Sequence, residues 1–119
     1  MNQCKPYYFE QFTDSVLQEI SDSLHQPCVY FLHNRLSGLT KIGYTNDLHR
    51  RYSEITNNIG SKPELIYIDV TPQARKLEEF FHKKFSEFRR EGEWFDFPDG
   101  FISIFKQSPS YLKQLSEEN

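Results

Sequence analysis

Apolar side chains return at three- and four-residue steps at the start of the chain. Phe9, Phe12, Val16, Ile20 and Leu24 form one stripe, which predicts a helix over 7–25, ended by Pro27. The period then changes. Cys28-Val29-Tyr30-Phe31-Leu32 is dense in β-branched and aromatic residues and reads as a strand. Asn34 to Gly38 is a turn, and Leu39 to Tyr44 is the returning strand. Thr45, Asn46 and Asp47 offer N-caps for a helix through Leu48, Arg51, Tyr52 and Ile55 that stops near Asn57-Asn58. Gly60 to Pro63 is a loop, and Leu65 to Val70 is a third strand. Thr71-Pro72 opens a helix whose Ala74, Leu77, Phe81, Phe85 and Phe88 share one face, and Arg89-Arg90-Glu91-Gly92 breaks it. Residues 93–100 read as irregular, 101–115 as one more helix, and the terminal Ser-Glu-Glu-Asn as frayed.

This order predicts an α/β (α+β) fold, a small three-stranded, largely antiparallel sheet flanked by helices. The 119 residues fit a single domain, with an N-terminal helix in 1–26, a core over 27–97, and a C-terminal helix and tail over 98–119. Hydrophobic residues are only 37% of the chain, but 11 Phe and 7 Tyr bring large buried area per side chain, so a compact core is within reach.

The formal net charge of -3 excludes a global basic field for nucleic acid. Its distribution is uneven. Residues 35–90 carry 11 Lys/Arg against 7 Asp/Glu, while the flanks carry 3 against 10. A mildly basic middle suits a small phosphate-facing surface, and it is equally what a solvated surface looks like. Cys4 and Cys28 make no disulfide framework, and the scattered His25, His33, His49 and His82 make no zinc pattern. No run approaches ~20 apolar residues and the start lacks a secretory signal, so the expectation is a cytoplasmic protein without a membrane partner.

Three short features then stand in order: Cys28-Val29-Tyr30, Lys41-Ile42-Gly43, and Gly92-Glu93-Trp94-Phe95, with Arg51 and Glu78 each on a helix between them. In order and spacing, residues 28–97 resemble the GIY-YIG nuclease superfamily, and most closely its branch with a Lys-Ile-Gly second motif and a late Gly-Glu-Trp-Phe. The resemblance implies a hairpin bearing Tyr30, an arginine at Arg51 and a metal-binding glutamate at Glu78. Two departures stand out: Cys28 replaces the first glycine, and Lys41 replaces the second-motif tyrosine, which removes a hydroxyl that helps organise water in such nucleases.

Each of these residues has two readings. Glu78 either holds Mg²⁺ (or Mn²⁺), which accepts a single protein carboxylate, or is a surface charge paired with Arg75. Tyr30 either orients or deprotonates water, or is a core tyrosine. A phenol of pKa ~10 needs about 3 units of depression to act as a base at neutral pH, which a cation and Arg51 would have to supply. Tyr44 either replaces the missing hydroxyl or is a strand-end aromatic. Lys41 either reaches phosphate beside Tyr30 or is an exposed strand lysine. Arg51 shares the face of Leu48 and suits bidentate phosphate contact, while Arg50 points to backbone phosphate or solvent. Glu93 is either an outer support of the site or a turn cap, and Gly43 either admits a close neighbour or makes a kink.

The expected function is metal-dependent DNA endonuclease activity, single-metal hydrolysis with Tyr30, Lys41, Tyr44, Arg51 and Glu78 as catalytic residues. Lys41, Arg50, Arg51 and Arg75 are the expected nucleic-acid contacts. The alternative is a catalytically weak or inactive module that binds nucleic acid or protein. Without a recognisable zinc finger or helix-turn-helix, high specificity would need a homodimer or a protein partner.

Overall fold

The computed structural model describes residues 25–117, so all but the last residue of the helix expected over 7–25, and the last two residues of the expected frayed tail, lie outside the described residues. The hairpin is β1 (Cys28–His33) and β2 (Thr40–Thr45), paired antiparallel from Cys28 opposite Thr45 to His33 opposite Thr40. Asn34 closes its turn. The Asn34 carbonyl accepts from the Gly38 amide at 2.8 Å, and its side-chain Oδ1 accepts from the Leu36 amide at 3.0 Å. Of the three candidate caps, Asp47 caps α1 (Leu48–Ile59), accepting from the Arg50 amide at 3.1 Å. Gly60, at φ 79, ends that helix in the left-handed conformation that glycine adopts freely. β3 (Glu64–Val70) then pairs antiparallel with the other side of β1.

The expected three-stranded sheet is corrected here to five strands, in the order β3-β1-β2-β5-β4, every neighbouring pair antiparallel. The physical reason lies after the next helix. That helix, α2 (Ala74–Lys84), starts after Gln73 rather than at Thr71-Pro72, and ends before Phe85 and Phe88. A 3₁₀ turn over Ser86–Phe88 leads into β4 (Arg89–Glu91). Gly92, at φ 58, turns the chain into β5 (Trp94–Phe95), which pairs with the open edge of β2 through Thr40–Phe95 and Lys41–Trp94. Strands of three and two residues are too short to show alternation in a sequence. The final helix is also two: α3 (Phe101–Gln107) and α4 (Pro109–Glu117), divided at Ser108.

Both faces of the sheet are covered. Val29, Phe31 and Ile42 turn to a core closed by Phe81 of α2, Phe85, Phe97, Phe105 of α3 and Leu112 of α4. Phe31 sits at its centre, edge-on to Phe81 at 5.2 Å and to Phe105 at 5.8 Å, the arrangement aromatic quadrupoles favour. Tyr30, Leu32, Leu65 and Ile68 turn to the other face, beneath Leu48 and Ile55 of α1. Ion pairs tie the last helices to β3: Lys106 to Glu64 at 3.4 Å and Lys113 to buried Asp69 at 3.3 Å. Among the described residues no helix is long and apolar enough to cross a membrane.

Candidate functional site

The site is built at the edge of β2. Tyr30 lies opposite Gly43 and Leu32 opposite Lys41, so Tyr30, Lys41 and Gly43 share a sheet face. Gly43 has a specific reason to be glycine. A Cβ there would stand 2.5 Å from the Tyr30 hydroxyl, 2.7 Å from its Cζ and 3.1 Å from Glu93 Oε1. The neighbour that Gly43 admits is therefore the Tyr30 phenol, which lies over β2 and reaches the vicinity of Glu93. From α1, the Arg51 guanidinium comes up beside the Tyr30 hydroxyl and bonds Glu54 at 3.0 Å. Burial pushes the Tyr30 phenol up to about 12, and the hydrogen bond and charge of Arg51 only partly offset this. The shift is opposite to the depression that a tyrosine base needs, so the group Tyr30 offers near neutral pH is a protonated hydroxyl.

On the far side of β2, α2 brings up Glu78. This residue is 8% exposed, and its Oε2 is buried without a hydrogen-bond partner. Burial, then the nearby Glu93 carboxylate, push the Glu78 carboxyl up to about 7, with Lys41 pulling weakly the other way. Lys41 is itself placed between the two elements. Its Nζ lies 3.2 Å from Glu93 Oε1 and 5.4 Å from the centre of the Trp94 ring. His82, one helical turn beyond Glu78, donates from Nε2 to the Ile42 carbonyl at 2.8 Å, since a carbonyl can only accept. Ligand atoms of Glu78, His82 and Glu93 all fall within 4.8 Å of one another. A groove of about 440 Å³ opens along α2, lined by Lys76, Glu78, Glu79, Phe80, His82 and Lys83.

The structure thus gathers Tyr30, Lys41, Arg51 and Glu78 around one strand edge. It places the other expected residues elsewhere. Arg50 is taken up by Glu54 at 2.7 Å and Asp47 at 3.8 Å on the surface of α1. Arg75 pairs with Glu79 at 3.8 Å rather than with Glu78. Tyr44 lies opposite Val29, on the face away from Tyr30, and is 40% exposed. Two further residues stand at the site, His82 and Glu93, the second of which the sequence offered as an outer support or a turn cap. His82 stands four residues after Glu78, a spacing that puts both on one helix face. Glu93 follows the Gly92 turn, and only the pairing of β5 with β2 brings it to the site.

Two carboxylates, one with a buried oxygen that nothing bonds, form a donor set that fits a hard divalent cation. Residues 27–114 match the T5orf172 domain. The chain belongs to the T5orf172 domain family. The resemblance to the GIY-YIG superfamily is corrected by this finding: the family matched across the core is T5orf172, and the sheet has two strands more than expected. Among curated proteins, this T5orf172 chain is similar to the putative KilA-N domain-containing protein 315L of Invertebrate iridescent virus 6, at 34% identity over 77 residues. That stretch is 62% of the chain and 31% of the relative, so the chain spans about a third of the relative's length. No solved structure matches the chain.

Proposed function

We propose that this T5orf172 domain is a nucleic-acid-binding module that takes phosphates, those of DNA first, in the groove along α2, with Mg²⁺ or Mn²⁺ on Glu78 bridging to them. One observation carries the reading: Glu78, whose buried Oε2 has no hydrogen-bond partner, lines a groove together with Lys76 and Lys83. Lysines at the wall favour a phosphate, whereas an ionised carboxylate inside repels one. A divalent cation on Glu78 reconciles the two, because such an ion accepts one or two carboxylates together with phosphate oxygens. The surplus of basic residues over 35–90 supports the same face. The test is fluorescence anisotropy of labelled duplex and branched DNA with Mg²⁺, Ca²⁺ or EDTA at two salt concentrations. Binding that rises with divalent cation and is lost in Glu78→Ala is expected. Equal binding in EDTA by both proteins would overturn the role of Glu78.

A second reading, metal-dependent hydrolysis of the phosphodiester, is favoured by the placement of Arg51 beside the Tyr30 hydroxyl, which lies near the Glu93 carboxylate. A cation held by Glu78 would supply Lewis-acid polarisation of the phosphate. Arg51 would meet the charge that builds on the phosphoryl oxygens, with its planar fork already fixed by Tyr30 and Glu54. Tyr30, protonated, would orient the attacking water as a hydrogen-bond partner. Lys41 would balance the carboxylates. A plasmid and branched-DNA cleavage assay with wild type, Glu78→Ala and Tyr30→Phe separates the readings. Cation-dependent cutting abolished by Glu78→Ala supports hydrolysis, and DNA retention without cutting leaves the binding module.

A further inference from the structure

The structure assigns Glu93 as the second carboxylate ligand of the cation in this site, facing Glu78, with Lys41 as the built-in cation that competes for it. The inference rests on the cation reading above and adds which residues complete the donor set and which ion class it selects.

Several independent features support it. Glu78 Oε2 is buried and makes no hydrogen bond, and His82 Nε2 faces it at 3.9 Å, beyond hydrogen-bond reach. Glu93 converges on it from a different element, with ligand atoms of the cluster no more than 4.8 Å apart. Two carboxylates at that separation repel unless a cation or a proton lies between them. Lys41 shows that a positive group is accommodated there, with its ammonium 3.2 Å from Glu93 Oε1 and its side chain only 11% exposed.

Glu93 is also rigidly placed. Its carbonyl accepts from the Ile42 amide at 3.0 Å, which extends the β2–β5 pairing by one residue and pins the backbone that carries the carboxylate. A ligand held by a sheet keeps its geometry better than one on a free loop. His82 lies in the same cluster. Its Nε2 is engaged by the Ile42 carbonyl at 2.8 Å, so that nitrogen fixes α2 against β2 and is not a donor to a metal. Glu78 and Glu93 offer carboxylate oxygens, the donors that suit Mg²⁺ or Mn²⁺.

The experiment is direct titration of the folded chain with Mn²⁺, without DNA, by electron paramagnetic resonance and calorimetry. Wild type is expected to bind one Mn²⁺, and Glu93→Gln to bind at least about tenfold more weakly, in the range seen when residues supporting a metal site are removed. Lys41→Met is expected to bind Mn²⁺ several-fold more tightly, because a competing charge has gone. That gain is expected on charge alone, so Glu93→Asp, which keeps the charge, separates a ligand from a counter-charge whether or not Glu93→Gln folds. Shortening the side chain by a methylene lowers the affinity of a ligand and leaves that of a counter-charge unchanged, the latter result overturning the assignment. Wild-type affinity in Glu93→Gln sinks this inference and leaves the cation on Glu78 standing. No Mn²⁺ bound by wild type sinks both, while DNA binding in EDTA would then preserve nucleic-acid binding alone.

Discussion

The Tyr30 hydroxyl occupies the space that a Cβ on Gly43 would need, 2.5 Å from where that atom would sit. The two residues face each other across the β1–β2 hairpin, and one is the reason the other carries no side chain. Gly43→Ala therefore forces a fully buried ring to move. The expected penalty is about 1–3 kcal/mol, the usual cost of an overpacked core. The check is a double-mutant cycle by urea unfolding with Tyr30→Leu, which vacates the hydroxyl and Cζ positions. Most of the Gly43→Ala penalty should vanish in that background, and strictly additive losses would show that the clash is not its cause.

The same phenol makes a second prediction. Burial holds Tyr30 near 12, against ~10 for a free phenol. In a chain labelled with ¹³C at tyrosine Cζ, the resonance lost in Tyr30→Phe should not move as pH rises to about 10, whereas an ordinary exposed phenol is half ionised there. A midpoint near neutrality in the absence of divalent cation would restore the reading of Tyr30 as a base.

How much of this was legible follows from how each residue reaches the site. Tyr30, Lys41, Arg51 and Glu78 lie on long elements with clear periodicity, so their placement on the first hairpin and the two following helices could be read from the chain. Whether Lys41 shares a face with Tyr30 depended on the hairpin register, which Asn34 and Gly38 set through the turn. Glu93 could be named as an outer support or a turn cap but not decided, because its approach to Glu78 depends on a two-residue strand, Trp94–Phe95, whose pairing is a tertiary event without local period. The spacing of Phe85 and Phe88 even argued for a longer helix. In fact both rings join the core after the helix has ended, Phe85 against Phe97 at 5.1 Å and Phe88 against Phe101 at 5.3 Å. The sign of the Tyr30 shift was likewise invisible, since it comes from burial and not from the neighbouring arginine that a sequence reveals.

Glu78 should make the fold pH-dependent. Its carboxyl is raised from 4.5 to about 7, so the folded chain holds a proton that the unfolded chain has lost. Stability without divalent cation must then fall as pH rises through the window from 4.5 to 7. Glu78→Gln removes that penalty. Its Tm, by circular dichroism in EDTA, should exceed that of wild type by roughly 5 °C at a pH above this window. The gain should shrink towards nothing at the acid end, where the wild-type carboxyl is protonated in both states. A gain of equal size at both ends would mean that the introduced amide packs better and that ionisation plays no part.

Phosphate contact should map to the groove and not to the most exposed arginines. Lys76 and Lys83 line the groove beside Glu78, whereas Arg50 is held by Glu54 and Asp47 on the surface of α1. Each lysine that neutralises one phosphate contributes a slope of about -0.9 to log K against log salt on duplex DNA, through counterion release. The paired substitution Lys76→Gln and Lys83→Gln should thus weaken binding and flatten the slope by roughly two units, equally across DNA sequences because phosphate carries no base identity. Arg50→Gln should change the slope far less, since its guanidinium already satisfies two carboxylates of its own helix turn. Anisotropy titrations at several salt concentrations read both quantities. A slope that falls with Arg50→Gln and stays constant in the lysine pair would move the nucleic acid from the α2 groove to the surface of α1, and with it away from Glu78.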